Sequence, residues 1–442
     1  MKKRFGGSYM KRSVWTSSVC LPEFLKLRGE EKTDVLIIGG GLCGLLCAYF
    51  LEQAGIDYIL LEGDRIASGI TKNTTAKITS QHSLIYAKLL RSIGKEKASM
   101  YLNANQKALA EYEKICREVE CGFEKKNSYV YTLRDRRKIE EEIIALEALG
   151  FKAKFAEKTE LPFKTLGAVC FENQAQFNPM QFISHISKGL KIYENSFVRQ
   201  ITPTSAICDS GKITAKKIIV ATHFPFINKH GSYFLKLYQH RSYVSAFEGA
   251  QETDGMYLDE DKKGMSFRSY ENLLLIGGGG HRTGKNGGTW TELRGFASKY
   301  YPEAVLKYEW AAQDCMSLDG IPYIGQYSAL TPNLYVATGF NKWGMTSSCV
   351  AARLLCDLVQ DRKNELSEVF SPSRNIMKPQ LLVNAIETAV NLLTPTAKRC
   401  PHLGCALKWN KAEHTWDCPC HGSRFMEDGK LIDNPSTGDA KI

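Results

Sequence analysis

The sequence lacks long apolar runs, and this absence limits the kinds of protein that it can encode. A membrane-spanning helix needs about 18–20 consecutive apolar residues, and no run in the 442-residue chain approaches that length. The basic N-terminal segment leads into no apolar stretch of useful length, because Thr16, Ser17 and Ser18 interrupt residues 14–21. We therefore predict neither a transmembrane segment nor a secretory signal, and we expect a cytoplasmic protein.

A disulfide framework and a nucleic-acid-binding face are also missing. Most of the 14 cysteines are scattered singly in apolar surroundings, such as Cys43 and Cys47 in one predicted helix and Cys349 and Cys356 in another. Thiols in such positions are expected to be reduced in the cytosol. The net charge is +11, but it is spread along the chain and shows no basic–aromatic pattern. The sequence therefore favours no nucleic-acid partner.

The first pattern that indicates a ligand lies near the N-terminus. Residues 34–38 form an apolar run that predicts a buried parallel strand. This strand leads directly into a G-x-G-x-x-G sequence at residues 39–44, which a predicted helix (45–53) and a second apolar strand (58–61) follow. The second strand ends at Glu62. This order of elements is typical of a dinucleotide-binding site.

The three glycines and the acidic residue of that pattern each have a physical role. Gly39 allows a tight turn, Gly41 lets the backbone approach a pyrophosphate, and Gly44 lets the helix pack closely on the strand. The helix N-terminus faces the phosphate charge, and Glu62 can accept a hydrogen bond from a ribose hydroxyl. A glycine-rich turn that binds no ligand is the alternative.

A second pattern lies near the C-terminus, where two short loops each supply one cysteine and one histidine. The first loop carries Cys400 and His402, and the second carries Cys418 and His421. Such a set can hold one Zn²⁺ or a [2Fe–2S] cluster in which two histidines replace two cysteines on one iron. Zinc fingers usually pair cysteine with cysteine and histidine with histidine. The spacing therefore favours two irons, one bound by the cysteines and one by the histidines, with structural zinc as the alternative.

These loops closely resemble those of the Rieske iron–sulfur family, down to an additional pair, Cys405 and Cys420. In cytochrome bc-type members this pair forms a disulfide, so the resemblance implies the same link here. One feature departs from the family, since several strands generally precede the first loop, whereas residues 381–393 predict an amphipathic helix. We therefore expect a small β-rich cluster-binding subdomain and not a complete Rieske module.

Two residues after the second loop bear on the redox potential of such a cluster. Ser423 stands where bc-type Rieske proteins carry a hydroxyl donor, whereas Phe425 stands where those relatives often have tyrosine. Hydrogen bonds to cluster sulfur stabilise the added electron. The resemblance therefore implies a potential in the lower part of the range of about −150 to +300 mV that histidine-ligated clusters cover.

The rest of the chain resembles the D-amino-acid-oxidase-like family of FAD-dependent oxidoreductases. Residues 63–79 are small and polar, residues 218–223 form a buried strand, and residues 319–325 and 333–340 resemble the closing FAD segment of that family. The resemblance implies an α/β fold with a Rossmann-like FAD-binding domain and an interleaved mixed-sheet substrate domain. A predicted helix at 345–359 would direct its N-terminus at the flavin.

The resemblance also implies a division of the chain and a set of FAD contacts. The expected division is an arm (1–33), an FAD-binding domain (34–226 and 317–362, with a helical insertion at about 86–150), a substrate-domain sheet (227–316), a linker with the amphipathic helix (363–395) and the Rieske subdomain (396–442). The expected FAD contacts are Gly39, Gly40, Gly41, Leu42, Cys43, Gly44, Glu62, Gly63, Thr74, Thr75, Ala76, Val198, Ala221, Gly339, Gly344, Met345 and Thr346.

Five side chains are candidates for contact with the substrate or the flavin. They are His82, His281, Arg282, Lys342 and Trp343. Arg282 could pair bidentately with a substrate carboxylate, and residues 277–280 are interpreted as a turn that presents His281 and Arg282. Each candidate also has a structural alternative: a hydrogen-bonded histidine, a surface ion pair for Arg282, a solvated Lys342 or a core Trp343.

Together these patterns predict a redox enzyme. The resemblance implies that FAD takes a hydride from a small-molecule substrate, next to an amine nitrogen of an amine or amino acid. The cluster would then pass electrons singly to a protein acceptor. Two alternatives stay open, namely a non-catalytic redox sensor or carrier, and an FAD protein with a structural zinc site that docks a partner.

Overall fold

The computed structural model describes residues 9–17, 19–261 and 263–442. Its strands are β1 (Gly29–Ile38), β2 (Tyr58–Leu61), β3 (Lys77–Ile78), β4 (Glu124–Thr132), β5 (Lys154–Ala156), β6 (Gly167–Gln176), β7 (Ile192–Tyr193), β8 (Val198–Thr202), β9 (Ser205–Cys208), β10 (Gly211–Val220), β11 (Leu237–Glu248), β12 (Met256–Asp259), β13 (Ser266–Tyr270), β14 (Leu273–Arg282), β15 (Val305–Ser317), β16 (Tyr323–Gln326), β17 (Leu334–Thr338), β18 (Lys408–Asn410), β19 (Thr415–Asp417), β20 (Arg424–Phe425) and β21 (Leu431–Asp433). Its helices are α1 (Leu42–Gln53), α2 (Tyr86–Cys116), α3 (Arg136–Ala148), α4 (Pro179–Ile186), α5 (Tyr233–Lys236), α6 (Thr289–Tyr300), α7 (Gly344–Val359), α8 (Ser367–Phe370) and α9 (Pro379–Leu393).

The first sheet is built around five parallel strands, β17, β10, β1, β2 and β7. β1 pairs in parallel with β10 on one side and with β2 on the other, and the full order is β16-β17-β10-β1-β2-β7, with β9 beside β10 and β8 beside β9. Helices α1 and α7 pack against each other on this sheet. The carboxyl ends of parallel strands meet at one edge, where α/β folds bind their ligands.

The second sheet is mixed and draws its strands from two distant parts of the chain. Its order is β15-β11-β14-β13-β12-β4-β6-β3, with β5 beside β6. The predicted α/β class with a mixed second sheet is confirmed. The sheet also extends beyond the predicted range 227–316, because β3, β4, β5 and β6 lie within residues 77–176. Pairing between strands that are distant in sequence leaves no local signal.

One local prediction in this region is wrong, and one helix was not predicted. Residues 277–280 form no turn but lie inside β14, where Gly277 pairs with Val244 and Gly278 with Tyr243 of β11. Glycine is needed at Gly279, where φ is +60° and a Cβ would lie 2.4 Å from the Thr289 carbonyl oxygen. A helix that the sequence did not predict, α6, follows this strand and packs on it.

The C-terminal part is a four-stranded sheet, β18-β19-β20-β21, preceded by α9. The predicted β-rich subdomain and the helix before it are both confirmed. In the described part of the chain, every helix is too short or too polar to cross a bilayer.

Candidate functional site

The three glycines of the first motif differ in what surrounds them. Gly39 has a φ of +110°, and a Cβ there would lie 2.6 Å from the Ala221 carbonyl oxygen, while a Cβ on Gly44 would lie 1.9 Å from the Gly39 carbonyl oxygen. Both glycines are therefore required by the fold itself. A Cβ on Gly41 would instead meet only Thr71 Oγ1, at 3.5 Å. Space in front of Gly41 is thus open for a ligand.

Glu62 closes the motif through hydrogen bonds to the backbone. Its Oε2 accepts from the Gly40 N–H at 2.6 Å, and its Oε1 accepts from the Asp64 N–H at 2.9 Å. Burial raises the pKa of this carboxyl group, although these amides oppose the shift. Each carboxylate oxygen keeps a second lone pair for a ribose hydroxyl.

A cleft of about 1260 Å³ runs from this motif to the second sheet. That volume exceeds the ~300–1,000 Å³ of ordinary small-molecule pockets, as an extended dinucleotide requires. Of the predicted FAD contacts, those that line the cleft are Gly39, Gly41, Leu42, Cys43, Glu62, Gly63, Thr74, Thr75, Val198, Ala221, Gly344 and Met345. The other five, Gly40, Gly44, Ala76, Gly339 and Thr346, lie behind this wall. The open cradle at Gly41 and the N-terminus of α7 in the wall fit bound FAD.

Three of the predicted catalytic candidates lie at or directly behind the cleft. Lys342 and Trp343 line it. His82 stacks on Trp343 with ring centroids 4.9 Å apart, and its Nδ1 and Nε2 lie 2.6 Å from Tyr101 Oη and 3.0 Å from Thr346 Oγ1. Burial lowers the pKa of His82 to about 3. A neutral His82 therefore supports Trp343 and the start of α7.

The structure places His281 and Arg282 away from the cleft, at the Rieske subdomain. The Arg282 guanidinium donates to the carbonyl oxygens of Pro419 and Cys420 and to Asn384 Oδ1, at 3.0–3.3 Å. His281 bonds to Tyr243 Oη at 3.0 Å. The predicted contact between Arg282 and a substrate carboxylate does not match this geometry, because its donors hold the second cluster loop.

Two ionisable groups that the sequence analysis missed line the cleft. Asp314, in β15, accepts from Ser242 Oγ at 2.9 Å, and burial raises the pKa of its carboxyl group while Lys342 opposes the shift. Lys77 donates to the Tyr257 carbonyl oxygen at 2.9 Å, and burial lowers the pKa of its amine to about 7. Both residues reach the cleft through sheet pairing, so no sequence motif marks them.

The two cysteine–histidine loops converge as predicted from their spacing. The imidazoles of His402 and His421 lie with ring centroids 4.9 Å apart, and the thiols of Cys400 and Cys418 are hydrogen-bonded to each other. Within the described residues, His402 Nδ1 and both ring nitrogens of His421 are buried without a hydrogen-bond partner. The Phe234 backbone lies near the His421 ring, but it does not meet hydrogen-bond geometry. Buried nitrogens without partners are expected where a metal supplies the missing bond. The donor set fits a histidine-ligated cluster.

Two further thiols lie beside this set. The Sγ atoms of Cys405, Cys418 and Cys420 all lie within 4.8 Å of one another, and Cys405 and Cys420 are free thiols in the structure. Cys405, Cys418 and Cys420 alone would supply three ligands, one fewer than a structural zinc site uses. We favour the set with two histidines, because it accounts for the unpartnered ring nitrogens of His402 and His421.

The second cluster loop is buried against the wall of the cleft. Gln239 Nε2 donates to the His421 carbonyl oxygen at 3.0 Å, and Gln313 Nε2 donates to that of Gly422 at 2.9 Å. Asn434 Nδ2 donates to the carbonyl oxygens of Thr222 and Phe224 at 2.7 and 2.8 Å. The subdomain is therefore tied to β11, to β15 and to the segment after β10.

Ser423 lies where its hydroxyl group can tune the redox potential of the cluster. Its buried hydroxyl accepts from the Ser436 N–H at 2.9 Å and is hydrogen-bonded to the Cys400 thiol. A hydrogen bond to a charged group contributes about 1.5–3 kcal/mol, which limits the change for a one-electron couple to about 65–130 mV. We expect Ser423→Ala to lower the potential by tens of millivolts in voltammetry at fixed pH, and Phe425→Tyr to raise it if the new hydroxyl reaches sulfur. An unchanged potential in Ser423→Ala would show that the hydroxyl does not tune the cluster.

Comparison with known proteins identifies the class to which this fold and these two sites belong. The sequence model of the FAD dependent oxidoreductase family (DAO) matches residues 34–358, and that of the Rieske [2Fe-2S] domain matches residues 363–442. The chain therefore belongs to the FAD-dependent oxidoreductase family and carries a C-terminal Rieske domain. Its cofactors are FAD and a [2Fe–2S] cluster.

One relative shares the whole arrangement. The putative Rieske 2Fe-2S iron-sulfur protein YhfW of Bacillus subtilis (strain 168) is 33% identical, and the alignment covers 96% of each chain. Gamma-glutamylputrescine oxidoreductase of Escherichia coli (strain K12) is 24% identical over 74% of this chain and 83% of its own.

Solved structures share the fold of the FAD part. Glycine oxidase from Geobacillus kaustophilus superposes with a TM-score of 0.66 at 17% identity, covering 78% of this chain and 99% of its own. L-proline dehydrogenase from P. horikoshii has a TM-score of 0.65 at 15% identity, covering 79% of this chain and 98% of its own.

Proposed function

We propose that this chain oxidises an amine or amino-acid-like substrate at FAD and passes the electrons through its [2Fe–2S] cluster to a separate protein acceptor. The observation that carries this proposal is the short path between the two sites. Residues 221–223 line the cleft, and the ring of the next residue, Phe224, lies 6.5 and 6.2 Å from the rings of His402 and His421. When bound, FAD accepts a hydride and the cluster accepts single electrons.

The polar groups in the cleft support an amine substrate. The Asp314 carboxylate can accept hydrogen bonds from a substrate amine, and Ser242 holds it in position. Lys342, in the same wall, can pair with a substrate carboxylate. Relatives named for glutamylputrescine, glycine and proline are consistent with this class of substrate.

The docking of the cluster subdomain supports transfer inside one chain. Arg241 of β11 donates to Glu413 Oε1 of the subdomain at 3.0 Å, and Arg424 also binds this carboxylate. Burial alone would raise the pKa of Glu413, yet Arg241 and Arg424 hold it below its usual value. A buried pair of this kind costs about 3–5 kcal/mol to break by removing one partner. The subdomain is therefore anchored at the cleft, which its residues 430–434 also line.

The test is anaerobic mixing of the protein with glycine, L-proline, iminodiacetate and γ-glutamylputrescine. We expect at least one of these amines to bleach the flavin absorption and to produce the electron paramagnetic resonance signal of the reduced cluster. Dithionite provides the fully reduced reference. Reduction of flavin while the cluster stays oxidised would contradict the transfer step. A protein that dithionite reduces but no amine reduces would favour a redox sensor or carrier.

A further inference from the structure

Helix α9 turns its apolar face towards solvent. Leu382, Ile386 and Val390, spaced four residues apart and therefore on one face, are 65%, 55% and 56% exposed. On the opposite face Asn384 and Asn391 are buried. This orientation is the reverse of the usual one, in which the apolar stripe of a helix faces the protein core.

Polar contacts fix the helix in this orientation. Asn384 Nδ2 donates to the Leu235 carbonyl oxygen at 3.1 Å, and Asn384 Oδ1 accepts from Arg282 at 3.0 Å. Glu387 forms an ion pair with Lys285 at 2.6 Å. The Asn391 carbonyl oxygen accepts from the Ala406 backbone N–H, just after the first cluster loop, at 2.9 Å. Rolling the helix to bury its leucines would leave these buried polar groups without partners, which is costly.

The exposed apolar surface continues beyond both ends of the helix. Of the 18 large hydrophobic residues that are exposed in the described chain, eight lie between residues 377 and 403. They are Met377, Leu382, Val383, Ile386, Val390, Leu392, Leu393 and Leu403, which together we call the α9 face. A 15-residue helix is about 22 Å long. A continuous apolar surface of this length marks an interaction site.

The chemistry of the α9 face favours lipid over a protein partner. Seven of its eight side chains are leucine, isoleucine or valine, whereas the centres of protein interfaces are enriched in aromatic residues, methionine and arginine. Near the ends of α9, Lys378, Lys398 and Arg399 carry positive charge, while Arg374 is ion-paired with Asp319 at 2.8 Å. Residues 371–404 contain one acidic residue, Glu387. That acid is neutralised by Lys285. An apolar face with basic residues near both ends complements an anionic membrane surface.

We propose that the α9 face docks this protein on an anionic lipid surface, with α9 lying in the plane of the membrane interface. This docking needs no membrane-spanning segment, and within the described chain every helix falls short of the length or the apolarity that spanning requires. Leu403, which follows the predicted ligand His402, is part of the same face. The first cluster loop would therefore lie at the lipid surface. The inference stands on α9 alone and does not depend on the proposed reaction.

The test is flotation of the full-length protein with vesicles made of phosphatidylcholine, with or without phosphatidylglycerol. We expect the protein to float with the anionic vesicles and at least tenfold less with the neutral ones, and we expect raised salt to weaken the binding. Ile386→Glu should reduce the floated fraction at least tenfold. Leu330→Glu, a matched change at a residue that is 81% exposed outside the α9 face, should leave it unchanged. Flavin and iron content show that each variant is folded.

Three outcomes would overturn the proposal. The wild-type protein could remain unbound with anionic vesicles, or both variants could float as the wild type does, which would place lipid binding elsewhere. A dimer in solution that Ile386→Glu dissociates, with no vesicle binding by the wild type, would assign the α9 face to a second copy of the chain.

Discussion

Gly41→Val should yield folded protein that has lost its FAD. The valine side chain would project into the approach of the pyrophosphate to the backbone, whereas in the protein itself a Cβ there meets only Thr71 Oγ1 at 3.5 Å. The substitution therefore acts on the ligand and not on the packing. We expect the flavin-to-protein ratio of the purified variant to fall at least about tenfold, which for a saturated site requires a loss of more than ~1.4 kcal/mol of binding free energy.

Gly295→Val is the matched control for this change. Gly295 lies in α6, where a Cβ would meet nothing within 4 Å. It should retain flavin as the wild type does. Iron content reports on folding in both variants, because the cluster loops lie on the other side of the cleft wall. Stoichiometric flavin in Gly41→Val would show that FAD does not approach the backbone at this glycine.

The glycine motif and the cluster loops were accessible to sequence analysis because each is a short contiguous segment. Gly39, Gly41 and Gly44 follow directly from one strand, so their relation to a phosphate is fixed by local geometry. The cysteine and histidine of each loop are likewise close in sequence. Local spacing is enough to bring such residues together.

Residues whose role depends on pairing between distant strands could not be predicted in this way. Arg282 looked like a substrate ligand, yet β14 pairs with β11 in a register that directs it to Pro419 and Cys420. Asp314 reaches the cleft only because β15 pairs with β11. The amphipathic pattern of α9 predicted a helix correctly but did not determine which face the protein covers. That outcome depends on the buried contacts of Asn384 and Asn391.

Removal of one cluster ligand should remove the cluster and leave FAD in place. In Cys418→Ser we expect iron to fall from about two atoms per FAD to near zero, because a hydroxyl is a poor replacement for a thiolate at iron. Cys418 is buried, and its thiol is held by Cys400, Cys405 and Cys420, whose hydrogen bonds keep its pKa well below the usual value. The FAD cradle, built from β1 and α1, does not include this residue. Metal analysis and electron paramagnetic resonance of dithionite-reduced, anaerobically prepared protein measure the loss.

Two further cysteine variants distinguish a cluster ligand from a neighbouring thiol, and the metal content of the wild-type protein distinguishes a cluster from a zinc site. Cys356→Ser replaces a buried thiol of α7 that accepts a hydrogen bond from Gln360, and it should keep both iron and flavin. Cys405→Ser should also keep a [2Fe–2S] signal, because Cys405 lies beside the proposed ligands without belonging to them, although its Sγ is within 4.8 Å of that of Cys418. Equal loss of iron in Cys405→Ser and Cys418→Ser would contradict the assignment of two thiolates and two imidazoles. Zinc without iron in the wild-type protein would refute a redox-active cluster, and with it the path through Phe224 to an acceptor.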